Sequence, residues 1–257
     1  MSTNIIQVPT DKRYKLKNLF NDVYEFPMIN SVLEGYMGNA WSDSIDNPSV
    51  CQLSLSGYTI FAGDSKCPTA LGLVKSLTNP VTVLPSSPYW SELIKVQYDS
   101  KISIITRHDF TPDNLNYEHV KGFLSKLPEG FQVKPMNVEI AKKLQKEEWS
   151  EDFIKNFKSP EDFCKRGVGY CIIHNGNIVS GASSCSIFAG GIEIEIDTNT
   201  AFRGKGLATT AAAALILYCL DNNIYPSWDS SNPVSIGLAL KFGYRIKKTY
   251  QVTRINC

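Results

Sequence analysis

Apolar residues recur along this chain with two periods, and the change from one to the other marks its central stretch. Ile192, Ile194 and Ile196 fall on one face, and Glu193, Glu195 and Asp197 on the other. Strict alternation of β-branched and polar residues predicts a strand. Residues 205–220 are rich in Ala and Leu, with no Pro and no Gly beyond Gly206, which predicts a long helix. The two are joined by a short turn, Arg203-Gly204-Lys205-Gly206.

The same reading extends to both sides. Leu16, Leu19, Phe20, Val23 and Tyr24 stand at helical spacing, Pro27 interrupts, and a second helical piece covers 28–38. Residues 50–55 and 58–62 alternate about Ser56-Gly57, a hairpin signal. A short helix over 68–77, a strand over 81–84, a helix over 88–98 and a strand over 101–106 follow. The polar stretch 107–117 is the best linker candidate, and a helix over 117–127 comes next. The second half then reads as a strand (130–136), two helices (138–149 and 151–167) and two strands (168–174 and 178–188) about the turn Asn175-Gly176. After the central strand and helix come a strand (224–228), a helix (232–242) closed by Gly243, and a last strand (244–254). We divide the chain into two α/β domains, residues 1–126 and 127–257. The element order of the first loosely repeats that of the second.

Composition narrows the function classes. Apolar residues make up 43% and charged residues 20%, ordinary for a globular protein, and 257 residues allow an ample core. A net charge of +1 favours neither nucleic acid nor an anionic membrane. The seven Cys are scattered, with no C-x-x-C pair. That excludes a zinc or disulfide framework and points to a reducing cytoplasm. The first residues hold no apolar leader core, and no run of about 18 apolar residues occurs, so neither secretion nor a membrane span is expected.

The turn carries the first chemistry. A Gly-rich turn into a helix leaves backbone N–H groups pointing one way at the positive end of the helix dipole, an anion site suited to phosphate. Gly204 and Gly206 allow close backbone approach, and Arg203 and Lys205 add charge. Neither GxxxxGK[ST] nor GxGxxG is present. Arg203, Gly206 and Ala208 instead fit Arg/Gln-x-x-Gly-x-Gly/Ala, the pyrophosphate loop that binds acetyl-CoA in the GCN5-related N-acetyltransferases, the GNAT superfamily. A second motif, Asn232 at the start of a helix ending Phe242-Gly243-Tyr244, resembles that superfamily's Asn-x-x-Ala…Gly-Phe/Tyr segment. The strings EIEIDT, RGKGLAT, ALILYCL and YPSWDSSN resemble the subfamily that includes the zwittermicin A resistance acetyltransferase of bacilli, over nearly the whole chain.

The resemblance implies an acetyl-CoA-dependent N-acetyltransferase whose amine acceptor is left open, a small molecule such as an antibiotic or polyamine, or a peptide or protein. Its fold would be a mixed, mostly antiparallel sheet flanked by helices, with the first half a degenerate unit of the same kind. It implies that the backbone of Ile196, Asp197 and Thr198 pairs with the pantetheine arm. The amides of Gly204, Lys205, Gly206, Leu207, Ala208 and Thr209 would hold the pyrophosphate, with Arg203 beside them and Asn232 near the arm. One departure is plain: where many members carry a Tyr seven residues after the Asn, this chain has Ala239. Trp228, Asp229, Ser230 or Ser231 would have to donate the proton, or the thiolate leaves unassisted. The first half would shape the acceptor pocket or a homodimer contact.

Direct transfer needs a base for the amine. Glu193 and Glu195 are candidates, because two carboxylates on one face of a central strand are costly unless they line a cleft or are paired. An exposed face or a structural ion pair is the other reading. Asp229 is a third candidate, or else a turn cap. His108, His119 and His174 show no ligand spacing, so no metal is expected. Ser183, Ser184 and Ser186 lack a nucleophile elbow. A non-catalytic CoA-binding or regulatory protein on a degenerate scaffold is the alternative from another class.

Overall fold

The computed structural model describes residues 4–78 and 80–256. Its first elements are β1 (Ile6–Gln7), a 3-10 stretch (Thr10–Phe20), α1 (Pro27–Leu33), β2 (Asn39–Ser42), β3 (Val50–Leu55), β4 (Tyr58–Gly63), α2 (Pro68–Lys75), β5 (Val81–Val83), α3 (Pro88–Tyr98) and β6 (Ile102–Thr111). After α4 (Tyr117–Lys121) come β7 (Phe131–Pro135), α5 (Val138–Leu144), a 3-10 turn (Glu151–Phe153), α6 (Pro160–Arg166), β8 (Gly169–His174) and β9 (Asn177–Phe188). The chain ends with β10 (Gly191–Thr198), α7 (Leu207–Asp221), β11 (Tyr225–Ser230), α8 (Pro233–Phe242) and β12 (Arg245–Ile255).

These elements form two compact units, one running to Arg107 and including the chain from Thr249 onward, the other His108–Lys248. In the first, β1 to β4 are antiparallel neighbours, β5 lies parallel to β4, and the end of β12 pairs with β5. Its core gathers Phe61, Leu73, Val74, Val83, Trp90, Ile94 and Ile255. In the second, β7 to β10 are antiparallel neighbours, β11 lies parallel to β10, and the end of β6 pairs with β11. Both units are therefore mixed, mostly antiparallel sheets with helices, as the family resemblance implies.

The element order repeats closely: helical pieces, three antiparallel strands, a helix, a parallel strand, a helix and a strand occur twice. The hairpins turn through Ser56-Gly57 and Asn175-Gly176, all four residues at positive φ, the left-handed conformation that tight turns demand. In α7 every residue from 210 to 217 is buried, and the small side chains of Ala211 to Ala214 let it lie close to β8 and β9.

Several elements differ from the pattern. The predicted linker 107–117 begins as strand, since β6 runs on to Thr111 with Phe110 fully buried. Charged residues at 107–109 hide its alternation. Residues 108–126 belong by contact to the second unit, whereas the sequence division placed them in the first half: α4 lies on α7, and Phe123 meets Phe242 edge-on at 5.1 Å. The helix expected over 151–167 is a single 3-10 turn and then α6, because Ser159 caps a new helix at Pro160. The strand β2 is too short to show a period.

Candidate active site

The site is built where β10 and β11 part. These parallel strands pair over Gly191–Glu193 only, so residues 194–198 have no partner strand on that edge. On its other edge β10 pairs with β9 through Thr198. The cleft beyond has a volume of about 460 Å³. One wall is Ile196, Asp197 and Thr198; the floor is Phe202, Arg203, Gly204, Gly206, Leu207 and Ala208; the far wall is Asn232, Val234, Ser235 and Leu238.

The floor owes its shape to two glycines. Gly204 and Gly206 sit at φ +80° and +77°, which side-chain-bearing residues adopt only with strain. A Cβ on either would meet no atom within 4 Å, so the space above this backbone is open to a ligand. Gly206 caps α7, whose first backbone bond is donated by Thr210 to the Gly206 carbonyl at 3.2 Å. The N–H groups of Leu207, Ala208 and Thr209 thus have no acceptor within the helix, at the positive end of its dipole.

Arg203 turns back to brace this loop. Its Nε donates to the Thr198 carbonyl at 3.1 Å, and its terminal nitrogen meets the Asp197 carboxylate at 3.2 Å. Asp197 also accepts from the Thr198 N–H at 2.6 Å. Asn232 caps α8 by accepting from the Val234 N–H at 2.9 Å, which fixes the opposite wall. Lys205 is exposed and Thr209 half-buried, and neither lines the cleft.

The two glutamates differ in what surrounds them. Glu193 and Glu195 share a face of β10 and are both half-buried. Burial, then the nearby Asp152 carboxylate, pushes the Glu195 carboxyl up to about 7. An ion pair would pull it down instead. Opposite them β9 carries one extra residue, Cys185, at a bulge between the partners of Glu193 and Ile194. Burial, Glu195 and Glu193 together push the Cys185 thiol far up, so it stays protonated.

Asp229, like Glu193 and Glu195, is not among the residues that line the cleft. It is half-buried on β11, directly across from Asp109, which Lys247 approaches at 4.0 Å. Trp228 is buried, and its indole N–H donates to Ser235 Oγ at 3.1 Å. Ser230 Oγ accepts from the Asn232 N–H at 3.0 Å. Ala239 is fully buried. Sequence reasoning did not single out Phe202, Val234, Ser235 or Leu238 on the cleft, nor Asp152 and Lys155 near Glu195. Helical spacing after Asn232-Pro233 could have placed Ser235 and Leu238 on one face. Nothing local marks Asp152. Among the described residues, no group of three His, Cys, Asp or Glu could hold a metal ion.

Parted parallel strands, an open-backed glycine turn and a free helix start together make a cleft suited to an anionic ligand. A family model for GNAT acetyltransferase matches residues 17–253, and the chain belongs to that family. It is similar to an uncharacterized N-acetyltransferase of Bacillus subtilis, YdfB, at 25% identity over 97% of this chain and 98% of the relative. A crystal structure of a GCN5-related N-acetyltransferase-like protein from Streptococcus suis is 32% identical. It has a TM-score of 0.85 and covers 96% of this chain and 100% of that one. A tandem GNAT protein from the clavulanic acid biosynthesis pathway shares the fold at 12% identity and a TM-score of 0.55, over 97% and 98% of the two chains. No helix among the described residues is long and apolar enough to cross a membrane.

Proposed function

We propose that the chain moves an acetyl group from acetyl-CoA directly to the amine of a small molecule, with Glu195 as the general base. The observation that carries this is a half-buried carboxyl with its pKa near 7, on the strand that forms one cleft wall. A base works best when its pKa lies near the working pH, because it is then both free and basic enough. Glu193 shares the face and is the second candidate; Asp229, on β11 rather than on the strand that forms the wall, is the third.

The residues present fit acetyl-CoA. The open space over Gly204 and Gly206 would admit a pyrophosphate against the N–H groups at the start of α7. The edge of β10 at Ile196, Asp197 and Thr198 has no partner strand and would take the pantetheine amides as an added strand, with Arg203 and Asp197 giving up their bonds to the Thr198 backbone. When bound, acetyl-CoA supplies the acetyl group as a thioester. Glu195 would accept the amine's proton, directly or through water. With Ala239 at the usual Tyr position and Trp228 tied to Ser235, the thiolate would leave unassisted, tolerable for a thiol of pKa near ~8.5. We read the strings quoted above as those of the zwittermicin-resistance-like subfamily, so aminated antibiotics head the acceptor panel. Six described cysteines are free thiols, which suits a cytoplasmic setting. A homodimer is part of the same reading.

The test is acetyl-CoA consumption across an amine panel, then kcat against pH for Glu195→Gln and Glu193→Gln. For Glu195→Gln we expect turnover to fall by roughly 10²–10⁴-fold, loss of the acidic limb, and unchanged acetyl-CoA affinity. Normal turnover with an unaltered profile would remove Glu195 from the role.

A further inference from the structure

Residues 150–157 cross the face of the sheet that carries Glu195. In the β9–β10 ladder Ser183 stands directly opposite Glu195, so both side chains leave the sheet on one face, with Cβ atoms about 5 Å apart. The fully buried Ser183 hydroxyl donates to the Phe153 carbonyl at 2.7 Å. Two residues further along β9, at the bulge, the Cys185 carbonyl accepts from the Asn156 side-chain amide at 2.8 Å. At the other end, Ser150 Oγ donates to the Leu144 carbonyl at 2.8 Å, tying the segment to α5. Phe153 fills the space between, fully buried. The segment is thus pinned at three points over the strand that bears the base. It carries Asp152 and Lys155, which form an ion pair with each other.

We propose that Asp152 is a positioning residue for Glu195, held over it by this pinned segment, with Lys155 as its counterweight. The inference rests on Glu195 as the base.

The charges around Glu195 are few. From its own strand come Glu193 and Asp197, the latter already bound to Arg203; from β9 comes the protonated Cys185 thiol; from the segment come Asp152 and Lys155. Asp152 disfavours the ionised form of Glu195, and Lys155 favours it. A second carboxylate nearby raises the proton affinity of the more buried one. A lysine paired to the outer carboxylate limits that effect, so the pair sets the base by difference. The hydrogen bonds from Ser183 and Asn156 matter because they fix the distance over which both charges act.

The test needs no acceptor. Protein labelled at the glutamate carboxyl carbon is titrated by NMR, and the Glu195 signal is assigned by its loss in Glu195→Gln. The wild-type midpoint is expected near 7. Asp152→Asn should lower it by about half a pH unit or more, Asp152→Glu should restore it, and Lys155→Met should raise it. A residue that only holds the fold would move melting temperature and leave the midpoint in place. If the wild-type midpoint lies in the ordinary carboxylate range, the reading of Glu195 as a tuned base fails, and this inference with it. If it lies near 7 while Asp152→Asn and Lys155→Met both leave it unmoved, or move it in the same direction, this inference alone is overturned.

Discussion

The strands β4 and β10 occupy the same place in the repeated order. Each ends an antiparallel run, and each pairs in parallel, for two or three residues, with the strand after the next helix. Beyond that pairing they part company. On β10 residues 194–197 are half-buried, two of them, Glu195 and Asp197, are acidic, and the chain enters α7 through two left-handed glycines. On β4 the sequence YTIFAG has no charge, and Ile60, Phe61 and Ala62 are buried. Trp90 from α3 stacks on Phe61 at 4.9 Å, and its indole N–H donates to the carbonyl of Gly63, the last residue of β4. The matching helix of the second unit, α8, lends its first turn to the cleft instead. The turn after β4, Asp64-Ser65-Lys66-Cys67, is held by an Asp64 side chain accepting from the Lys66 N–H at 2.9 Å, and it starts a helix of only 8 residues. One order of elements thus serves packing in one unit and leaves an open edge in the other, and side chains at the parting of the strands make the difference.

The largest effect should come from emptying the packed version. Trp90→Ala removes a fully buried ring and leaves a cavity and an unpaired Gly63 carbonyl, a loss of about 3–5 kcal/mol. Chemical denaturation would read that loss, while calorimetry on the remaining folded protein should give wild-type acetyl-CoA affinity. An affinity that drops with Trp90 would break the division of labour between the two strands.

A smaller effect is expected from filling the open version. Gly206→Val places a β-branched residue at φ +77° and crowds the floor of the cleft. Acetyl-CoA affinity should fall at least about tenfold, about 1.4 kcal/mol. Lys66→Ala, in the corresponding turn of the first unit, should leave affinity unchanged. Equal losses from both variants would show that the glycine turn has no special part in binding.

How far the site was legible follows from the same contrast. The floor and one wall could be read, because a glycine turn before a helix and an alternating acidic strand are local signals. The opposite wall was half legible: Asn232 announced itself as a cap, while Ser235 and Leu238 reach the cleft only through the way α8 meets β11. Asp152 could not be read at all. It is more than forty residues from Glu195, and long-range contacts such as the Ser183 and Asn156 hydrogen bonds bring the two near. The element order of the first unit was visible, yet nothing local said that Trp90 would cover the end of β4. The extent of β6 was missed because polar residues at its end stand opposite β11, His108 opposite Ser230 and the buried Asp109 opposite Asp229.

The smallest effect is the most discriminating, because its sign is unusual. A carboxyl whose pKa is raised on folding, here from an ordinary 4.5 to about 7, holds its proton more tightly in the native state than in the unfolded one. Stability therefore falls as pH rises through that window, and the penalty is complete above pH 7. Glu195→Gln cannot ionise, so it should melt higher than wild type at pH 8, and the difference should vanish below about pH 4.5. Partial exposure discounts the gain to the order of 1 kcal/mol, about 2–4 °C in a unit of this size. A glutamate held in a structural ion pair has the opposite sign: its pKa is depressed, its stabilisation is present at neutral pH, and the Gln variant melts lower. Melting curves at two pH values on one variant therefore separate a strained catalytic carboxylate from a structural one. A variant that gains stability while losing turnover is what a group retained for its chemistry would give.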